Sequence, residues 1–101
     1  MKLTEKAKED FEKWYNHKDK ENSSLPSMIE WFYVYPDSMQ YGVIVDWFDS
    51  VEIYIEVLSM DLGKEFYWII NDDEMTDGNE DTRPEARTQT IIKANEIYNE
   101  K

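Results

Sequence analysis

Between Val51 and Leu58 the chain alternates with period two. Val51, Ile53, Ile55 and Val57 interleave with Glu52, Tyr54, Glu56 and Leu58. Successive side chains of a strand point to opposite faces, so this pattern demands a half-buried strand resting on a core. Two other runs share the property. Tyr41, Val43, Val45 and Trp47 alternate with Gly42, Ile44, Asp46 and Phe48, and Phe66, Trp68 and Ile70 alternate with Glu65, Tyr67, Ile69 and Asn71. Strands are predicted over about 40–48, 51–59 and 65–71. Asp49-Ser50 and Asp61-Leu62-Gly63-Lys64 supply the turns, and such short connections make neighbouring strands antiparallel.

Helical periodicity flanks these strands. Ala7, Phe11, Trp14 and Tyr15 recur at helical spacing behind Thr4, a capping residue, which predicts a helix over about 4–17. Thr82-Arg83-Pro84-Glu85 matches a capping box with proline in the first turn. Behind it, Ala86, Thr90, Ile91, Ala94, Ile97 and Tyr98 form one broad stripe, so a second helix is predicted over about 83–99. The segment 27–35 reads either as a helix or as a fourth strand, and residues 72–81 as an acidic loop. The expected fold is α+β, with an antiparallel three- or four-stranded meander and N- and C-terminal helices packed on one face.

A length of 101 residues suits one domain, and an aromatic content of 15% supplies the area to build its core. The chain has no cysteine, which removes disulfides, thiolate metal sites and cysteine nucleophiles. It begins without an apolar leader and has no run approaching the roughly 18 apolar residues that span a bilayer, so a soluble cytoplasmic protein is expected.

The charge is unevenly placed. Fifteen of the 23 carboxylates lie between Glu21 and Asp81, where Lys64 is the only cation, and both flanks are nearly neutral. A localised negative field repels nucleic acid and anionic membranes and attracts basic surfaces.

The catalytic and metal-binding patterns weighed against this field are weak. With Gly78 at the sixth position of a calcium loop, Asp73 and Asp77 take the first and fifth. Met75 and Pro84 then occupy the third and twelfth, where ligands are required. His17 is the only histidine and has no second histidine to share a metal. Asp46 with Asp49, or Glu52 with Glu56, are the carboxylate pairs nearest in sequence. A nuclease built on them would repel its substrate, and a glycosidase needs a deep cleft. Gly42, Gly63 and Gly78 are isolated, so no phosphate loop is present. The expectation is a non-enzymatic protein without cofactor or metal.

What remains is a binding face. In the predicted register the helices cover Val51, Ile53, Ile55 and Val57, leaving Asp46, Glu52, Tyr54, Glu56 and Tyr67 outward. Outward positions on a strand repeat every ~7 Å, the order of the phosphate spacing along one nucleic-acid strand. Asp46, Asp49, Glu52 and Glu56 are the expected central contacts, with Tyr54 and Tyr67 as aromatic anchors. Asp72, Asp73 and Glu74 extend the field, as do Asp77, Glu80 and Asp81. The expected partner is a basic protein surface, in particular that of a nucleic-acid-binding protein, with no direct binding to nucleic acid or membrane. The alternative is a homo-oligomer, such as a homodimer, that buries Trp31, Phe32 and Tyr33 between subunits.

Two stretches carry a resemblance. Ser38 to Val51 (SMQYGVIVDWFDSV), and Thr82 to Arg87 with Ile92 to Asn99, resemble segments of small uncharacterised phage and prophage proteins. The resemblance implies a mobile-element origin, action in a host cytoplasm, and an inhibitor of the anti-defence or DNA-mimic type. It brings no known catalytic residues.

Overall fold

The computed structural model describes residues 2–20, 29–71 and 73–101. Helices α1 (Glu5–Lys20), α2 (Ile29–Phe32) and α3 (Asp37–Ser50) come first. They are followed by β1 (Ile55–Met60), a 3-10 turn (Asp61–Gly63), β2 (Glu65–Ile70), β3 (Asp73–Glu80) and α4 (Arg83–Asn99). The architecture is α+β, as predicted, with one antiparallel sheet in the order β1-β2-β3.

The meander is displaced along the chain from the predicted one. Residues 40–48, expected as a strand, belong to α3. Val43, Ile44 and Val45 favour strands, but Gln40, Ile44, Trp47 and Phe48 are the buried positions, and their spacing is that of one helix face. Burial of that face overrides the β preference. Gln40 also locks the helix to the chain before it, its Nε2 donating to the carbonyls of Tyr35 (2.8 Å) and Tyr33 (3.3 Å). In segment 27–35 the described part forms the one-turn helix α2 and not a fourth strand; residues 27 and 28 lie outside the described residues.

The expected strand 51–59 begins later, because residues 51–54 are spent leaving α3. Val51 caps that helix, Glu52 turns left-handed (φ 65°), and the Ile53 N–H bonds back to the Phe48 carbonyl (2.9 Å).

The acidic stretch read as a loop is largely the strand β3, paired to β2 with a register shift between Ile69 and Ile70. Its composition argues against a strand, yet β2 requires a partner on this edge. The direct cross-strand pair Trp68–Gly78 shows why the pairing fits: a Cβ on Gly78 would lie 2.5 Å from Trp68 Cε2. The indole lies against bare backbone there, an approach only glycine permits.

α4 starts at Thr82, whose Oγ1 accepts from the Glu85 N–H (3.3 Å), and its buried side holds Ala86, Thr90, Ile91 and Ala94. It packs across all three strands and against α1 and α3. The remaining core is aromatic. Phe11 of α1 meets Phe32 (5.1 Å between centroids) and the edge of Trp47 (5.7 Å), while Trp47 also contacts Phe48 and Tyr98. Such tilted and edge-on pairs contribute about 0.5–1.5 kcal/mol each beyond burial. Among the described residues, no helix is long and apolar enough to cross a membrane.

Candidate functional site

The β1–β2 register separates the two faces of the sheet. Ile55 and Val57 share the inner face with Phe66, Trp68 and Ile70, against α4. Glu56, Leu58 and Met60 share the outer face with Glu65, Tyr67 and Ile69, and Asp77 and Asn79 of β3 continue it. Ile53, ahead of β1, is fully buried, and Val51 is half-buried. The predicted core side of this segment is therefore the observed one.

Glu52, Tyr54 and Glu56 come together on the outer side. With Ile69 and Asn71 they line an open cleft of about 660 Å³ beside the β1–β2 pair. Local geometry fixes its floor. Asn71 ends β2 in a left-handed turn (φ 57°), a conformation asparagine tolerates better than most residues. There its N–H donates to the Tyr54 carbonyl (2.8 Å) and its Oδ1 accepts from the Tyr54 N–H (2.7 Å). Tyr54 thus has its backbone secured and its ring half-exposed. Farther along the face, Tyr67 Oη donates to Asp77 Oδ2 (2.8 Å), binding an aromatic ring of β2 to a carboxylate of β3.

Glu52 is placed against local energetics. It follows the C-cap of α3 in a left-handed conformation, a position where glycine is the usual residue. The last turn of α3 has no basic residue, and Asp49 and Glu52 place negative charge at the negative end of its dipole, with Asp46 one turn earlier. Each such charge is unfavourable by about 0.3–1 kcal/mol at an exposed site. Among the described residues, none of Asp46, Asp49, Glu52 and Glu56 forms an ion pair; the exposed pairs are Lys13–Glu9 and Lys93–Glu96, on α1 and α4.

The other expected contacts are dispersed. Asp46 and Asp49 are exposed on α3 and not on the sheet, because the segment that carries them is helical. The even ~7 Å pitch expected through Glu52, Tyr54 and Glu56 is broken, since an extended strand begins only at Ile55. Asp73 and Glu74 open β3, where Asp73 pairs with Ile70; Asp72 lies outside the described residues. With Asp73 and Asp77 in one extended strand, the backbone does not wrap as a calcium loop does.

Ile69 and Asn71 join the site without having been singled out as contacts in the sequence. Parity with Tyr67 places Ile69 on the outer face, while Asp77, expected as part of an acidic loop extending the field, stands on that face as a residue of β3. No family model, curated protein or solved structure matches the chain.

Proposed function

We propose that this chain is a non-enzymatic acidic binding protein whose outer sheet face occupies a basic surface of another protein, in the manner of an inhibitor of a nucleic-acid-binding protein. The observation that carries the reading is Glu52. A left-handed residue after a helix C-terminus calls for glycine, and the end of the dipole calls for a cation. A glutamate there, beside Glu56 and a secured Tyr54, serves no local structural need and suits an external cation. Strain and unfavourable charge of this kind cluster where a surface has a task. The cleft is open, which supports surface contact over enclosure of a small substrate. The carboxylates are irregularly spaced, so the mimicry is of a phosphate field and not of a phosphate lattice. The resemblance to small phage and prophage proteins favours the same reading, with action in a host cytoplasm.

The experiment is capture from host extract at low and moderate salt, comparing the natural chain with Glu52→Lys/Glu56→Lys. Salt-sensitive recovery of a nucleic-acid-binding protein that DNA or RNA competes off, and that the double variant loses, is the expected result. Equal recovery by the variant would remove the face from consideration.

A second reading, a homo-oligomer, is favoured by a different patch. Phe32 is fully buried in the chain's own core and is unavailable to a partner, but Trp31, Val34 and Met39 are exposed together around α2 and the start of α3. Sedimentation equilibrium decides it: a dimer lost on Trp31→Ser would support this reading.

A further inference from the structure

We infer that the β1–β2 hairpin presents an apolar docking stripe, Leu58, Met60 and Leu62, for an amphipathic cationic helix of a partner protein. The inference rests on the basic-surface reading above and specifies the partner's chemistry. Leu58 and Met60 are outward neighbours on β1, 52% and 48% exposed, and Leu62 at the tip is fully exposed. Leu58 pairs directly with Tyr67, whose ring widens the stripe. Among the described residues, α4 covers the opposite face of the sheet and no element covers this one.

The tip is built at a conformational cost. Asp61, Leu62 and Gly63 have φ of 53°, 57° and 86°, three consecutive left-handed residues, a geometry that glycine suits, aspartate tolerates and leucine does not favour. A leucine held there in full contact with water gains nothing from the fold in return. Exposed apolar residues rimmed by charge mark interaction surfaces.

Charge selects the occupant. Glu56, Asp61 and Glu65 flank the stripe, Asp77 is bound to Tyr67, and Lys64 is the only cation between Ile55 and Glu80. A second copy meeting this face about a two-fold axis would set carboxylates against carboxylates, which disfavours self-pairing. A segment with an apolar stripe and cationic flanks complements both features. From Leu58 to Met60 the strand covers about 7 Å, and Leu62 lies beyond its end in the turn. Two turns of helix, about 11 Å, set three apolar side chains on one face and reach past the strand to the tip.

The test uses the full chain and a synthetic 18-residue amphipathic helix of leucine and lysine, with a leucine–glutamate helix of the same apolar face as control. The expected result is binding of the cationic helix alone, with methyl resonances of Leu58, Met60 and Leu62 shifting on titration. Leu62→Gly and Leu58→Ser/Met60→Ser leave the net charge unchanged and are expected to weaken binding at least tenfold. Leu62→Gly relieves the left-handed strain, so its thermal midpoint should match or exceed that of the natural chain, which excludes misfolding as the cause. Binding abolished by Glu52→Lys/Glu56→Lys but untouched by both apolar variants would overturn the stripe and leave the basic-surface reading standing. Sensitivity to the apolar variants alone would keep the stripe and remove the Glu52 cleft. Self-association that Leu62→Gly abolishes would assign the stripe to a second copy and overturn the inference, as would absence of binding by the cationic helix.

Discussion

Asn71 holds Tyr54 by both of its backbone polar groups, donating its own N–H to the Tyr54 carbonyl and accepting the Tyr54 N–H at its side-chain oxygen. One residue thereby joins the end of β2 to the chain entering β1, where the cleft begins. Asn71→Gly keeps the left-handed turn and deletes only the side-chain acceptor, so it is expected to cost about 0.5–1.5 kcal/mol. Asn71→Ala adds left-handed strain and should cost about 1 kcal/mol more. Urea denaturation gives both values, and amide exchange should show the Tyr54 N–H losing protection in each variant. A neutral Asn71→Gly with unchanged protection would mean the bond carries no weight.

Gly42 and Gly78 predict opposite outcomes for the same substitution. Gly42 lies inside α3, and a Cβ there meets nothing within 4 Å. Gly42→Ala is therefore expected to stabilise by about 0.5–1 kcal/mol through helix propensity and reduced unfolded-state freedom. Gly78→Ala places its Cβ 2.5 Å from the Trp68 indole, forcing β3 away from β2 or the ring from its pocket, at about 1–3 kcal/mol. Thermal denaturation of the two variants, with Trp emission as the second readout for Gly78→Ala, separates them.

These two glycines also mark where the sequence was legible and where it was not. The outward parity of Glu56, Leu58 and Tyr67 could be read directly, because alternation survives any error in strand length. So could both long helices, each with a continuous apolar stripe. α3 could not, because Tyr41, Val43, Val45 and Trp47 satisfy a period of two on paper, with Ile44 and Phe48 among the residues between them. What discriminates is which of them face the core, and that depends on α1 and α4. β3 was hidden for the opposite reason. Asp73, Asp77, Gly78 and Asn79 carry no strand signal of their own, and the strand exists because β2 offers it a ladder and Trp68 fits over Gly78. The cleft inherits both errors. It lost Asp46 and Asp49 to a helix, and Asp77, expected in a loop, stands instead on a strand bonded to Tyr67.

The two ends of the chain are joined by asparagines. Thr4 was expected to cap α1 with its own side chain, but its hydroxyl accepts from Asn95 Nδ2 (2.9 Å) instead. Its N–H donates to Asn95 Oδ1 (2.8 Å), and Asn99 Oδ1 accepts from the Ala7 N–H (2.8 Å). α4 therefore caps α1. Asn99→Ala should cost about 0.5–2 kcal/mol, and Asn95→Ala somewhat more, since Asn95 is buried and leaves the Thr4 N–H without its acceptor. Amide exchange should show faster opening confined to the first turn of α1. Uniform loss of protection would instead mean that α1 and α4 open as one unit.

Stability should fall in alkali through two tyrosines. Tyr98 Oη donates to Asp10 Oδ2 (2.5 Å); the carboxylate holds the proton, and burial adds to it, pushing the phenol up to about 12. Burial and a bond to Glu12 Oε2 (2.7 Å) raise Tyr33 in the same direction. A group whose pKa is raised on folding contributes stability that is fully present below its unfolded value, about 10 for tyrosine, and is lost as pH rises through the folded value. The natural chain should thus lose stability between about pH 10 and 12. Tyr98→Phe should be less stable at pH 7 and show a shallower decline across that interval. Denaturant midpoints at several pH values measure both, and parallel curves for the two proteins would exclude Tyr98 as a source of the decline.

Glu52 allows stability and binding to be separated in one residue. Its left-handed conformation and its charge at the end of α3 both oppose folding. Glu52→Gly removes both and is expected to raise stability by up to about 1 kcal/mol, after allowance for the greater freedom of glycine in the unfolded chain. If the cleft is the contact surface, the same variant should bind a basic partner more weakly, and the deficit should shrink as salt screens the interaction over a Debye length of about 8–10 Å. A Glu52→Gly variant that is more stable and binds less well would show that the glutamate is there for the partner. One that is more stable and binds equally well would place the contact elsewhere on the sheet. A loss of stability would mean that the Glu52 side chain supports the turn out of α3, and the residue would then have a structural reason that needs no partner.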